Sequence, residues 1–164
     1  MTMTSVIANW PTGPVRLSWL ACVACEFPVT SVHGFCFAEG KVLVCRIRGR
    51  GWSIPGGHVE EGETLYGCLT RELREEADAG IRRANLIGFI VADHSVNETY
   101  VGRYPIKSAL VVFSVILGKL TAYAPSDAAL WRQLVELDAL PKLHHQWDPV
   151  LDAAYREARR QIPA

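Results

Sequence analysis

The sequence predicts an α/β protein, an α/β/α sandwich in which a mixed β-sheet surrounds one central acidic helix. Three observations predict it. A helical run from about Thr64 to Ala77 repeats Leu65, Leu69, Leu73 and Ala77 on one stripe, the spacing of a face packed on a core. The run Ser108–Leu117 is almost wholly apolar and rich in β-branched residues, as suits a central strand covered on both sides. Asp148-Pro149 then opens a closing helix, with Asp at the N-cap and Pro at the first helical position.

Taken in order, residues 1–29 read as an N-terminal arm with at most one strand. Trp10-Pro11-Thr12-Gly13-Pro14 is irregular in pattern, and a short buried strand over Leu17–Cys25 is broken by Pro28. Residues 30–164 read as a single domain. Thr30–Phe37 is strand-like, Glu39-Gly40 a turn and Lys41–Ile47 the returning strand of a hairpin. Arg46, Arg48 and Arg50 alternate after it, so a strand reaching that far would turn all three to one face. Past the acidic helix, Asn85–Asp93 reads as a strand, His94–Pro105 as a polar loop and Trp131–Leu137 as a last strand. Val150, Leu151, Ala154 and Ala158 form the inward face of the closing helix.

Composition narrows the function. The chain has 164 residues, with 17 Lys plus Arg against 17 Asp plus Glu. That balance gives no global field for nucleic acid, and no apolar run reaches a membrane span. Five cysteines, at 22, 25, 36, 45 and 68, form no disulfide framework and read as reduced thiols in a cytoplasm. The lone Cys22–Cys25 pair lacks the partners of a zinc site and reads as two small buried apolar residues.

The chemistry concentrates in residues 52–80. A Pro-Gly-Gly loop, Pro55-Gly56-Gly57, precedes the helix, which carries Glu72, Glu75 and Glu76 at i, i+3 and i+4. Those acids share one stripe and repel one another unless a cation neutralises them. An acidic helix face is ordinarily just solvated, but carboxylate oxygens beside a tight loop are also hard ligands for Mg²⁺ or Mn²⁺. The stretch resembles the Nudix box, G-x5-E-x7-R-E-U-x-E-E-x-G-U with U aliphatic. Gly57, Glu63, Arg71-Glu72-Leu73 and Glu75-Glu76 take its fixed positions across residues 57–79. Asp78 stands where the late glycine is expected and Ala79 fills the aliphatic slot. Asp tolerates a left-handed helix end better than most residues.

The resemblance extends over roughly residues 30–160, although only the box is specific. It implies the same sandwich fold and a Mg²⁺-dependent pyrophosphohydrolase acting on a small nucleotide. The substrate is a nucleoside diphosphate linked to another moiety, or a (d)NTP; the alternative is a non-catalytic nucleotide-binding or regulatory domain. It also implies Glu72, Glu75 and Glu76 as metal ligands with the Gly56 carbonyl, and Arg71 and Glu63 orienting them. Gly57 is expected to meet the substrate; so are Arg46, Arg48 and Arg50, from their alternation just before the Gly-rich loop, a solvated strand end being the alternative. The general base stays open among Asp93, Glu98, Asp127 and the box acids; His58, His94, His144 and His145 are further candidates. Family members that cleave ADP-ribose often carry a proline at a set step beyond the box; here that region is His94-Ser95, and the next proline is Pro105. Trp52, Tyr100, Tyr104 and Trp131 are candidates to stack on a base. A homodimer is left open.

Overall fold

The computed structural model describes residues 3–163. Its strands are β1 (Ser5–Trp10), β2 (Gly13–Leu20), β3 (Val29–Ala38), β4 (Lys41–Ile47), β5 (Gly51–Ser53), β6 (Gly56–His58), β7 (Ala79–Asp93), β8 (Lys107–Leu120) and β9 (Ala129–Glu136). The helices are α1 (Leu65–Ala77), the single turn α2 (Leu140–Leu143) and α3 (Pro149–Arg160). The sheet runs β1-β2-β7-β8-β3-β4-β5, with β6 paired to β3 and β9 to β4. Among the described residues only β3 and β8 pair in parallel, so the sheet is mixed.

The period-two alternation of the central strands sorts their side chains onto two faces. Val111, Phe113 and Val115 of β8 pack with Val32 and Cys36 of β3 against Leu69, Leu73 and Ala77 of α1. Val112 of β8 joins Phe35 and Phe37 of β3 against Val150, Ala154, Tyr155 and Ala158 of α3. The chain is therefore an α/β/α sandwich with β8 buried on both sides, as its composition predicts. Thr64 caps α1 by accepting from the Gly67 N–H. Asp148 caps α3 by accepting from the N–H groups of Val150 and Leu151, both at 2.8 Å. On α3, Tyr155 rather than Leu151 completes the buried stripe.

The arm departs from expectation. Residues 5–20 form a regular antiparallel hairpin, with Trp10 paired to Gly13 across a two-residue turn. Gly13 adopts φ +105° there, which the proline-rich pattern hides. β2 pairs with β7 from Arg16↔Asp93 to Leu20↔Phe89, so the hairpin extends the main sheet, and the strand expected to Cys25 stops at Leu20. β7 begins at Ala79, directly behind α1, and β9 begins at Ala129. All five cysteines are unpaired thiols; Cys36, Cys45 and Cys68 are buried, whereas Cys22 and Cys25 are only half-buried on the loop after β2. Among the described residues, no helix is long and apolar enough to cross a membrane.

Candidate active site

Two consecutive turns of α1 build the acid wall of the site. Leu69 and Leu73 dock the helix on the sheet, which places Glu72 and Glu76 at the edge of that contact, 8 % and 4 % exposed. Burying two carboxylates so close together is costly unless something compensates their charge. Glu76 has one partner, the Gly56 N–H, which donates to its Oε2 at 3.1 Å. Burial nevertheless pushes its carboxyl up to about 7, with Glu72 and Glu75 adding to the rise and Arg50 opposing it. Burial raises Glu72 in the same direction, against the pull of Arg71.

Arg71 braces this wall from one side. Its Nε and Nη2 donate to Glu63 at 2.8 and 3.1 Å, Nη1 donates to Glu72 at 2.7 Å and to Glu75 at 3.4 Å, and Nη2 reaches the His58 carbonyl at 3.0 Å. The hydrogen bond from Arg71 is the main reason the Glu63 carboxyl falls to about 2. The Glu60 N–H donates to the second Glu63 oxygen at 3.0 Å. One guanidinium thus ties the Gly-rich loop, the loop ahead of α1 and the helix acids into one unit, a task for a planar fork of donors. Gly57 lies so close to Glu72 that a Cβ there would overlap its carboxylate. Glycine there leaves that carboxylate undisplaced.

Together these elements enclose a cleft of about 500 Å³ lined by Arg50, residues 56–61, Arg71, Glu72, Glu76 and Arg103. Of the residues singled out in the sequence, Gly56, Gly57, Arg50, Arg71, Glu72 and Glu76 meet there. Glu63 and Glu75 reach it through Arg71. Arg46 and Arg48 do not: Arg46 stays within β4, and the alternation stops at Ile47 before it reaches Arg48. Arg46 is exposed between Trp52 and Trp131 in register, and Arg48 donates to the carbonyls of Asp127 and Ser126 at 3.2 and 3.3 Å.

The acids of later loops also lie elsewhere. Asp93 caps a turn through the Ser95 N–H at 2.9 Å and faces Lys107 at 3.5 Å; Glu98 and Asp127 do not line the cleft. Among the histidines, His58 lines it, while His144 and His145 stack on each other behind β5. His94 is buried between Trp10 and Tyr100. Trp131 packs edge-on against Tyr123. Sequence reasoning missed Arg103, which comes from the loop between β7 and β8, and half-buried His33 beneath Gly56. Burial, then Arg50 and His58, hold the His33 imidazole down at about 4.

The helix end explains the one departure from the box. Asp78 takes the left-handed conformation, φ 47° and ψ 42°, and its Oδ2 accepts from the Ala124 N–H at 2.9 Å. Arg132 donates to the Ala77 carbonyl and, at 3.1 Å, to that of Asp78, neutralising the negative end of α1.

The NUDIX domain family model matches residues 28–158. The chain belongs to the Nudix hydrolase family. It is an enzyme of the class that hydrolyses phosphoric anhydride bonds, and Nudix hydrolases generally use divalent metals and act on small nucleotide derivatives. It is 26 % identical over 128 residues, 76 % of this chain and 71 % of the relative, to an ADP-ribose pyrophosphatase of Methanocaldococcus jannaschii. Its fold matches a variant of the Bacillus subtilis pyrophosphohydrolase BsRppH with a TM-score of 0.72 at 18 % identity, over 89 % of this chain and 91 % of that one. A Nudix hydrolase from Nitrosomonas europaea matches with a TM-score of 0.62 at 18 % identity, over 81 % and 89 % of the two chains.

The residues of this Nudix site suit a hard divalent cation by chemistry: buried carboxylates with raised pKa and no sulfur or imidazole in the set. Among the described residues, no three acidic, histidine or cysteine side chains converge as a ready ligand cluster. The bond from Arg71 to Glu72 and that from Gly56 to Glu76 hold two of the oxygens, so a cation would compete with both donors.

Proposed function

We propose that the cleft hydrolyses the diphosphate of a nucleoside diphosphate linked to another moiety, or of a (d)NTP, with Mg²⁺ or Mn²⁺ as cofactor. One observation carries the reading: two buried, under-compensated carboxylates, Glu72 and Glu76, face a cleft that also holds unpaired arginine. Glu72 and Glu76 would hold the cation, with Glu75 and the Gly56 carbonyl completing the set. Bound there, it supplies charge neutralisation for the phosphates and a lowered pKa for a coordinated water.

The chain's own residues supply the rest. Arg71 and Glu63 keep the acids oriented, a role whose loss typically costs a metal site about 10- to 100-fold. Arg50, exposed at the cleft, meets the substrate's phosphates, and the narrow approach at Gly57 lets them lie against the acid wall. Asp93, Glu98 and Asp127 lie away from the cleft, which leaves the box acids and His58, which lines it, as the candidates for the base. The relative named for ADP-ribose supports a nucleoside diphosphate compound as the first substrate to try.

The test is product formation from a panel of (d)NTPs, ADP-ribose, NADH, nucleotide sugars and dinucleoside polyphosphates with Mg²⁺, wild type beside Glu76→Gln. Wild type is expected to cut at least one compound. Since loss of an orienting residue alone costs about 10- to 100-fold, Glu76→Gln should cost more than about 100-fold. A panel left uncut, or a variant that cuts as well as wild type, removes the reading.

A further inference from the structure

We infer that Arg103 is a second phosphate-binding residue of the cleft, and that the N-terminal hairpin sets its position through the loop between β7 and β8. This rests on the proposed pyrophosphohydrolase reading, which it deepens.

Of the three arginines that line the cleft, Arg71 is engaged by Glu63, Glu72 and Glu75. Among the described residues, neither Arg50 nor Arg103 has a carboxylate within salt-bridge distance. The pair is therefore the cleft's uncommitted positive charge, facing a wall of acids, and an anionic ligand drawn to a cation at that wall would need such charge on its outer side.

Arg103 is held in place. Its guanidinium lies over the Tyr104 ring, 5.6 Å from the centroid, and Tyr104 in turn stacks on His58 of the Gly-rich loop at 5.2 Å. The loop closes on itself, since the Tyr100 hydroxyl donates to the Tyr104 carbonyl at 3.2 Å. Gly102 passes directly over the Tyr100 phenol, where a Cβ would overlap the hydroxyl. Tyr100 stacks on His94 with centroids 3.9 Å apart, and Trp10, the last residue of β1, meets His94 edge-on at 5.6 Å. Asn97 joins the same two segments. Its Nδ2 donates to the Thr12 carbonyl in the hairpin turn at 2.9 Å, and its Oδ1 accepts from the Thr99 N–H at 3.2 Å and hydroxyl at 3.0 Å. A continuous set of contacts therefore runs from the hairpin turn through Asn97, His94, Tyr100 and Tyr104 to the cleft.

The ligand class is a phosphate or diphosphate group, which a guanidinium forks onto and an ammonium meets only as a point charge. Arg103 acts as a binding residue; Tyr100 and Asn97 are positioning residues.

The experiment measures the affinity for inorganic pyrophosphate in Mg²⁺ by calorimetry, and KM and kcat for ADP-ribose, in wild type, Arg103→Ala, Arg103→Lys and Tyr100→Phe. Arg103→Ala should weaken pyrophosphate about 10-fold and raise KM in parallel, with Arg103→Lys recovering part of each. Tyr100→Phe keeps the ring and removes only the hydroxyl; a roughly 3-fold rise in KM with kcat held marks a positioning role, which a merely structural one would not give. Unchanged pyrophosphate affinity in Arg103→Ala, or no pyrophosphate binding by wild type, overturns the inference whether or not ADP-ribose is cut. Weakened pyrophosphate with no substrate cut leaves Arg103 in its role and removes the hydrolytic reading instead.

Discussion

The two walls of the cleft are built in opposite ways. The acid wall comes from one continuous stretch, residues 56–76, in which helical pitch alone aligns Glu72 and Glu76 and a single arginine braces them. The basic wall is stitched from distant segments: Arg50 after β4, Arg103 after β7, and the hairpin turn that meets Asn97 across 85 residues of sequence. The first is fixed by local geometry and buried. The second is exposed and depends on tertiary contacts. On the proposed reading, the rigid side would orient the phosphates and the adaptable side would choose among them.

Breaking the acid wall should therefore have the largest effects. Beyond Glu76→Gln, Arg71→Ala removes the brace and leaves Glu72 buried without its partner. We expect activity to fall about 10- to 100-fold. Melting temperature should drop too, since an unpaired buried charge is expensive. Arg71→Lys keeps the charge but not the fork, and should recover stability better than rate. If lysine restored both fully, the planar geometry of the brace would be irrelevant.

The same contrast governs what the sequence could show. The acid wall was legible because i, i+3, i+4 spacing is a property of the helix itself. The cores were legible because β3, β4 and β8 alternate cleanly between α1 and α3. Three features were not. Arg103 sits in a polar loop with no periodicity, and reaches the cleft only because Tyr104 finds His58. Arg46 and Arg48 looked like cleft residues because alternation was extended past Ile47, where the chain turns. The hairpin of β1 and β2 was hidden by prolines, although Gly13 flanked by alternating residues was the available signal for a turn.

A smaller effect lies behind the Gly-rich loop, in another stitched contact. His144 is half-buried, its Nε2 3.4 Å from the Ser53 hydroxyl. Burial first, then His145 and His33, lower its pKa from 6.5 to about 4. Between those values the unfolded chain binds more protons than the folded one, so this histidine's contribution is fully present above pH 6.5 and is lost as pH falls toward 4. The loss is roughly 2–3 kcal/mol. Glu76, raised to about 7, acts with the opposite sign over part of that window, and His33 with the same sign. The discriminating quantity is the difference between wild type and His144→Gln in urea denaturation from pH 7.5 to 4.5. The gap should shift in favour of the variant as pH falls; a gap independent of pH would mean that His144 titrates normally.

The smallest effect tests how the end of the acid helix is joined to the stitched region. Asp78 carries two loads: a left-handed backbone, φ 47°, and a carboxylate that accepts from the Ala124 N–H at 2.9 Å. Alanine would keep the strained backbone and lose the bond, at a cost of about 1–2 kcal/mol. Glycine would lose the bond but relieve the strain, so the two changes offset and stability should move by less than about 0.5 kcal/mol. Thermal melting of Asp78→Ala beside Asp78→Gly separates these terms. Equal losses in both would make the contact to Ala124 the whole of the effect. A loss confined to alanine would make backbone strain dominant, and the aspartate then stands in for glycine at the end of the box while adding a tether to the loop ahead of β9. Turnover should follow neither change, because Asp78 lies outside the residues that line the cleft.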